Sequence, residues 1–198
     1  EVWSVVKEMA PDRAPGPDGF TVEFYQRAWP IIKDDIMAVL LKLCVRDGRG
    51  FARLNRALIV LIPKKPDALE VGDYLPISLP HSFSKLFAKL LANRIRPCMK
   101  DLVATNQSAF IRGRNLHDNY LLVKQVARKI HARKNKGVFL KLDISRAFDS
   151  LSWPFLFGSR CLRWLAVLLQ SSSTRLLVNG VSGRIIWHAK GLRQGDPA

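Results

Sequence analysis

The hydrophobic and polar positions of this chain follow helical spacing in some segments and strand-like runs in others. A helical stripe of apolar residues, with basic side chains on the opposite face, is formed by positions 83, 86, 87, 90, 91 and 95. A second helical pattern covers residues 116–137, and its basic end followed by Gly137 predicts a C-cap there. Residues 56–63, RALIVLIP, are a continuous apolar run with β-branched residues, which is typical of a strand.

The remaining segments add one strand, a two-stranded hairpin and further helices. Thr21 is a predicted N-cap, and Pro30 is expected to separate two helices. Residues 138–144 are expected to form a strand, and residues 173–191 two strands joined by a turn at Asn179-Gly180. The elements do not alternate as regular βαβ units. The pattern therefore predicts an α+β fold with packed helices and a mostly antiparallel sheet.

The net charge of the chain indicates the class of partner that it binds. The chain has 198 residues with 32 Lys and Arg against 16 Asp and Glu, a formal net charge of +16 spread along its whole length. Such an excess in a chain of ordinary hydrophobicity predicts a nucleic-acid partner. No apolar run approaches the ~18–20 residues of a spanning helix, and no signal peptide is evident. We therefore expect an intracellular protein, nuclear or cytoplasmic, without a membrane partner. Its three widely spaced cysteines are expected to be buried and free of metal.

The stretch KLDISRAFDS contains the candidate metal-binding and catalytic residues. Asp143 lies at the end of the predicted strand 138–144, and Asp149 follows six residues later. A strand-end carboxylate, with the backbone carbonyl of Ile144, can hold Mg²⁺ for phosphoryl transfer. Two structural alternatives stay open: Asp149 as a helix N-cap, and an ordinary ion pair with Arg146.

The residues around Asp143 resemble a known family. VFLKLDISRAFDSLSW is similar to the first palm motif of reverse transcriptases, particularly those of plant non-LTR retrotransposons. Four further segments resemble other motifs of that family in the same order: APGPDGFTVEFYQRAW, LNRALIVLIPKKPDALEVGDYLPISLPHSFSKLFAKLLANRI, NQSAFIRGRNLHDNYLLVKQ, and TRLLVNG with WHAKGLRQGDP. Together the five segments cover nearly the whole chain.

The resemblance implies an architecture and an activity. It implies a right-hand polymerase fold, with residues 1–136 as a fingers-like region with an N-terminal extension and residues 137–198 as a partial palm. It also implies RNA-directed DNA synthesis, with an RNA template, a DNA primer, deoxynucleotides and Mg²⁺ as cofactor.

The same resemblance assigns residues to roles. Asp143 matches the catalytic, metal-binding aspartate, assisted by the Ile144 backbone. Phe148 matches the bulky residue that excludes a 2′-hydroxyl. The other expected nucleotide contacts are Lys64, Lys65, Gln194 and Gly195. The expected template contacts are Phe110, Arg112 and Arg114, whose alternative is an ordinary basic loop.

The chain departs from the family pattern in four places. Leu75 stands where an arginine should contact the triphosphate, and Pro80 could disturb the following helix. The segment after Asp149 is about two helical turns short. The second palm aspartate motif, Tyr/Phe-Ala-Asp-Asp, does not occur in these residues, so we expect a truncated and inactive fragment. Two other interpretations stay open: the chain is a non-enzymatic nucleic-acid-binding remnant, or it is the product of a decayed reading frame.

Overall fold

A computed structural model of the protein describes residues 1–45, 48–134, 136–142, 150–156 and 163–193. Its helices are α1 (Val2–Glu8), α2 (Val22–Arg27), α3 (Trp29–Val45), α4 (Phe51–Leu54), α5 (Ser82–Ile95), α6 (Met99–Leu102), α7 (Leu116–Ala132), α8 (Trp153–Leu156) and α9 (Arg163–Gln170). Short 3₁₀ turns cover Val71–Asp73 and Arg96–Cys98. The strands are β1 (Arg56–Pro63), β2 (Tyr74–Pro80), β3 (Ser173–Val178) and β4 (Val181–Trp187).

These strands form one sheet in the order β2-β1-β3-β4. β1 pairs antiparallel with β2, β3 pairs antiparallel with β4, and the central β1–β3 pair is parallel. The expected mixture of helices with a mostly antiparallel sheet is therefore confirmed. β1 is an inner strand with a neighbour on each edge; Ala57 is buried, and residues 58–61 are half-buried.

Several local signals in the sequence are confirmed. The Thr21 side chain caps α2 by accepting a hydrogen bond from the backbone N–H of Phe24 at 3.2 Å. The helix break falls at Ala28, just before Pro30. Asn179 and Gly180 both have positive φ, 50° and 79°, as a tight turn between β3 and β4 requires.

Three expectations were wrong. Residues 138–142 are exposed and form no strand, because no described strand pairs with them; the rest of that predicted strand lies outside the described residues. Helix α7 ends at Ala132, and Lys134 rather than Gly137 takes the left-handed conformation after it. Cys44 and Cys98 are exposed instead of buried. Pro80 also leaves α5 intact, since it ends β2 and the helix begins two residues later.

The core forms where the helices α1, α3, α4, α5 and α9 pack against one another. Four of the six positions of the stripe predicted for α5 are buried there, among them Leu86 and Phe87. Phe87 contacts Phe51 and Trp164, with ring centroids 4.9 and 5.9 Å apart. Aromatic packing of this kind joins segments that are far apart in the sequence. Other buried members of the cluster are Val5, Val6, Ile36, Leu40, Leu43, Phe83, Ala88, Leu90 and Leu168.

The Pro/Gly-rich loop before α2 is packed against the start of α5. A Cβ on Gly16 would lie 2.5 Å from the Pro80 carbonyl oxygen, so only glycine fits there. The Asp18 carboxylate contacts His81 Nδ1 at 3.0 Å. Burial, followed by the Asp18 charge, raises the pKa of Tyr25 to about 12. The loop is thus an ordered part of the fold.

The chain divides into two compact units, residues 1–91 with 146–198, and residues 92–145. The first contains the sheet and the core. The second contains α6 and α7, and none of the α7 side chains is buried. The division into fingers-like and palm regions at residue 136 stays a prediction.

Candidate nucleic-acid interface

Lys64 and Lys65 lie at the turn that follows β1. The Lys64 backbone N–H donates to the Asp73 carbonyl oxygen at 2.8 Å, and its Nζ donates to the Gly72 carbonyl oxygen at 2.9 Å. Lys65 Nζ forms an ion pair with Asp73 Oδ1 at 3.0 Å, and the Lys65 side chain is 51% exposed. Both ammonium groups therefore lie at the surface of one ordered turn, next to a carboxylate.

Asp73 organises this turn. Its Oδ2 accepts hydrogen bonds from the backbone N–H groups of Leu69 and Glu70 at 3.3 and 3.2 Å. The hydrogen bond from Lys65, followed by that from the Glu70 backbone, holds the pKa of the Asp73 carboxyl below its ordinary value. The carboxylate therefore stays ionised and keeps Lys65 in place near neutral pH.

Leu75 follows this turn on β2. It pairs with Ile62 of β1 and is half-buried. An apolar side chain at this position cannot bind a phosphate. Leu75, at the position where the family has an arginine, therefore contributes packing to the β1–β2 hairpin and no positive charge.

Phe110 and Arg112 project from the loop before α7. Phe110 is fully exposed and has a φ of 64°, an uncommon conformation for a residue with a bulky side chain. Arg112 is also exposed. An exposed ring beside a guanidinium is the combination that stacks on a base and contacts a phosphate.

Arg114, the third expected template contact, is used within the fold. Its Nη1 donates to the carbonyl oxygens of Ala104 and Gln107 at 2.6 and 2.7 Å. Its Nη2 donates to those of Val103 and Lys100 at 3.1 and 3.4 Å. The guanidinium therefore ties the end of α6 to the loop that carries Phe110 and Arg112.

A buried polar network, which the sequence did not reveal, precedes the Gln-Gly pair. Arg193 is 6% exposed and donates to Asn55, which is fully buried. The Asn55 amide donates in turn to the Leu168 carbonyl oxygen and to Ser171 Oγ. Asn55, α9 and the segment entering Gln194 are thus joined. The sequence signal for this network was Asn55, a polar residue directly before the apolar strand β1. A polar residue at such a position also occurs at ordinary turns.

The remaining predicted site residues, Asp143, Ile144, Phe148, Gln194 and Gly195, lie outside the described residues. The same holds for Asp149 and Arg146. Within the described ranges, no cluster of three His, Cys, Asp or Glu residues could hold a metal ion. None of the described helices is long and apolar enough to cross a membrane.

Comparisons with known proteins identify the family. Residues 62–198 match the family described as reverse transcriptase (RNA-dependent DNA polymerase). The transposon TX1 uncharacterized 149 kDa protein of Xenopus laevis is 27% identical over 208 residues, covering 100% of this chain and 16% of that protein. The Retrovirus-related Pol polyprotein from type-1 retrotransposable element R2 of Nasonia vitripennis is 31% identical, covering 93% of this chain and 18% of that protein.

A third relative gives the same result. The Pol polyprotein from type-2 retrotransposable element R2DM of Drosophila melanogaster is 26% identical, covering 99% of this chain and 19% of that protein. The chain thus spans less than a fifth of the length of these three relatives. It belongs to the reverse transcriptase family and is similar over almost its whole length to the reverse transcriptase domain of non-LTR retrotransposon proteins.

Proposed function

We propose that this chain is the fingers and the first part of the palm of a plant-type non-LTR retrotransposon reverse transcriptase. In this role it contributes to RNA-templated synthesis of DNA, binding an RNA template, a DNA primer and deoxynucleotides. The match of residues 62–198 to the reverse transcriptase family carries the proposal. The plant-type assignment rests on the motif resemblance alone.

The turn after β1 supports a role in nucleotide binding. Lys65 is held by Asp73 at 3.0 Å, and a triphosphate oxygen is a chemically similar acceptor. Binding would exchange the carboxylate for a phosphate at the same ammonium. Leu75 removes the bidentate partner that an arginine would add, so the two lysines are the expected cationic contacts of this turn.

The palm residues supply the reaction centre in this proposal. Asp143 and the Ile144 carbonyl would hold Mg²⁺, which neutralises charge on the phosphates. Phe148 would restrict the sugar pocket, and Gln194 with Gly195 would lie beside the nucleotide. Two-metal chemistry needs a further pair of carboxylates, and these 198 residues contain no Tyr/Phe-Ala-Asp-Asp motif. The chain assayed alone is therefore proposed to bind nucleic acid without polymerising.

Primer extension on an RNA template with Mg²⁺ tests catalysis, with Asp143→Ala as the matched control. We expect both proteins to give no product above background. Synthesis by the natural chain above that of the variant would show that these residues suffice for polymerisation.

Nucleic-acid binding is tested separately, by titrating a labelled single-stranded RNA at several salt concentrations. We expect an affinity that falls steeply as salt rises, because phosphate contacts release counterions. No binding at low salt would contradict the proposed role. Binding without any extension fits a non-enzymatic nucleic-acid-binding module equally well. A longer version that includes the second aspartate motif separates the two, because only the polymerase role predicts that it extends a primer.

A further inference from the structure

One face of the sheet contains a pocket of about 520 Å³ with arginines on its walls. In the parallel β1–β3 pair, Arg56 lies opposite Ser173 and Leu58 lies opposite Arg175. Residues two apart on a strand share a face, and neighbouring strands are ~4.8 Å apart. Arg56 and Arg175 are therefore close neighbours on one face. Arg53, from α4, is a third cation in the lining.

Among the residues that the structure describes, no acidic side chain pairs with these arginines. The lining contains no carboxylate, and in the described part of the chain none of the three arginines forms an ion pair. The Asp18 carboxylate, which lies next to the pocket residue His81, contacts that histidine at 3.0 Å. Arginines collected in a concave site without counter-charges make it attractive to an anion.

Ser173 gives a second and independent sign of a ligand. It lies in the lining, is 1% exposed, and its Oγ has no hydrogen-bond partner among the described residues. Buried hydroxyl groups are rarely left unpaired in folded proteins. Ser173 lies opposite Arg56 in the β1–β3 pair, so the two side chains are on the same face of the sheet.

The rest of the pocket suits a nucleotide unit. Leu58, Leu177 and Ile185 form an apolar wall beside the cations. An apolar surface next to a cationic one fits a sugar attached to a phosphate. The guanidinium groups bind phosphate through paired N–H donors.

We propose that this pocket binds one backbone phosphate of a single nucleic-acid strand, held by Arg56, Arg175 and the Ser173 hydroxyl. The inference rests on the proposed nucleic-acid-binding function. It adds an anchor for the strand on the sheet face, distinct from Lys64 and Lys65 and from the Phe110 loop.

Equilibrium binding of a short single-stranded RNA, followed by fluorescence anisotropy, tests the pocket. Ser173→Ala removes one donor, and we expect affinity to fall roughly 3- to 10-fold. The melting temperature of the Ser173→Ala protein should stay the same or rise, because the substitution removes an unpaired buried hydroxyl group. A purely structural serine would not combine weaker binding with unchanged stability.

Arg175→Gln, compared with Arg184→Gln, separates the pocket from general charge. Arg184 is an exposed residue of β4 that does not line the pocket. We expect Arg175→Gln to reduce the slope of log affinity against log salt by about 0.7, as loss of one single-strand phosphate contact predicts. Arg184→Gln should leave the slope unchanged. Arg175→Lys keeps the charge and should preserve most of the slope, which provides a second variant if the glutamine protein unfolds.

The outcomes separate the two proposals. If the natural chain binds RNA and the Ser173→Ala and Arg175→Gln proteins bind like Arg184→Gln, the pocket proposal alone is overturned. If the natural chain binds no RNA at low salt, both proposals fail. Competition with a free deoxynucleoside triphosphate distinguishes the source of the phosphate. Displacement of RNA that depends on Arg175 would assign the pocket to a free nucleotide and overturn the strand assignment.

Discussion

Arg193 donates one hydrogen bond from each terminal nitrogen of its guanidinium to Asn55, at 2.9 Å to the backbone oxygen and at 2.6 Å to Oδ1. Both residues are buried, and Arg193 directly precedes Gln194, a predicted nucleotide contact. Asn55, directly before β1, thus holds Arg193, the residue that precedes the Gln194-Gly195 pair. Truncating Asn55 should disturb several elements at once.

Asn55→Ala should destabilise the protein by about 2–3 kcal/mol, because it removes the buried Oδ1 acceptor of the Arg193 guanidinium and the amide donor to the Leu168 carbonyl oxygen. Urea denaturation followed by circular dichroism measures the loss. Asn106→Ala removes an exposed amide side chain, and we expect a change within about 0.5 kcal/mol. Equal effects of the two substitutions would show that the buried network contributes little.

Arg114→Ala should loosen the segment between α6 and α7. The substitution removes all four guanidinium contacts with carbonyl oxygens. We expect local opening to become easier by about 1–2 kcal/mol, seen as faster amide hydrogen exchange in residues 100–114.

Arg112→Ala is the matched control for that experiment. Arg112 is exposed two positions earlier, so its removal should leave amide exchange unchanged and weaken RNA binding. If Arg114→Ala weakened RNA binding without altering exchange, Arg114 would be a direct template contact, as the family resemblance suggests, and the structural role would be wrong.

The stability of the turn that carries Lys64 and Lys65 should fall at acid pH, because the turn is held by the ionised Asp73 carboxylate. Its folded-state pKa is held below the ordinary 3.8, chiefly by the hydrogen bond from Lys65. The stabilisation is therefore present above pH 3.8 and is lost as pH falls through the lower folded value. Carboxyl NMR titration should place the Asp73 midpoint below 3.8.

Asp73→Asn should abolish this response, since an amide does not ionise in that range. Asp67→Asn removes an exposed carboxylate from the same loop and should leave the pH response intact. An Asp73 midpoint at or above the ordinary value would mean that the ion pair with Lys65 does not persist in solution.

Gly16→Ala should be markedly destabilising. The added Cβ would lie 2.5 Å from the Pro80 carbonyl oxygen and 2.6 Å from the His81 backbone nitrogen, and backbone atoms cannot move aside cheaply. We expect a loss of about 1–3 kcal/mol in the free energy of unfolding. Gly72→Ala is the matched control, because a Cβ there meets nothing within 4 Å. Similar stabilities for the two variants would show that the loop is not held against Pro80.

Local signals predicted much of the sheet, and the exceptions have physical reasons. The run RALIVLIP matches β1 residue for residue, and Asn179-Gly180 forms the turn of the β3–β4 hairpin. The strand β2 was missed because Pro76 and Pro80 argue against a strand. β2 is an edge strand of the sheet, and prolines are tolerated at edges since some backbone N–H groups there have no partner.

The site was less predictable because its geometry depends on distant residues. Motifs indicated Lys64, Lys65, Phe110 and Arg112, which are at or near the surface in the structure. The use of Arg114 within the fold follows from how the chain from Lys100 to Gln107 curves around it. The neighbourhood of Arg56 and Ser173 follows from strand register, which no local pattern reveals.

The parallel pairing of β1 with β3 also sets an order of events during synthesis. Asn55 and Ser171, which are hydrogen-bonded at the base of that pair, are 116 positions apart. At translation rates of ~5–20 residues per second, β1 leaves the ribosome roughly 6 to 23 seconds before β3. During that interval the inner edge of β1 has no neighbour, and an apolar strand edge invites pairing with other chains. The nascent protein should therefore depend on chaperones until β3 closes the sheet.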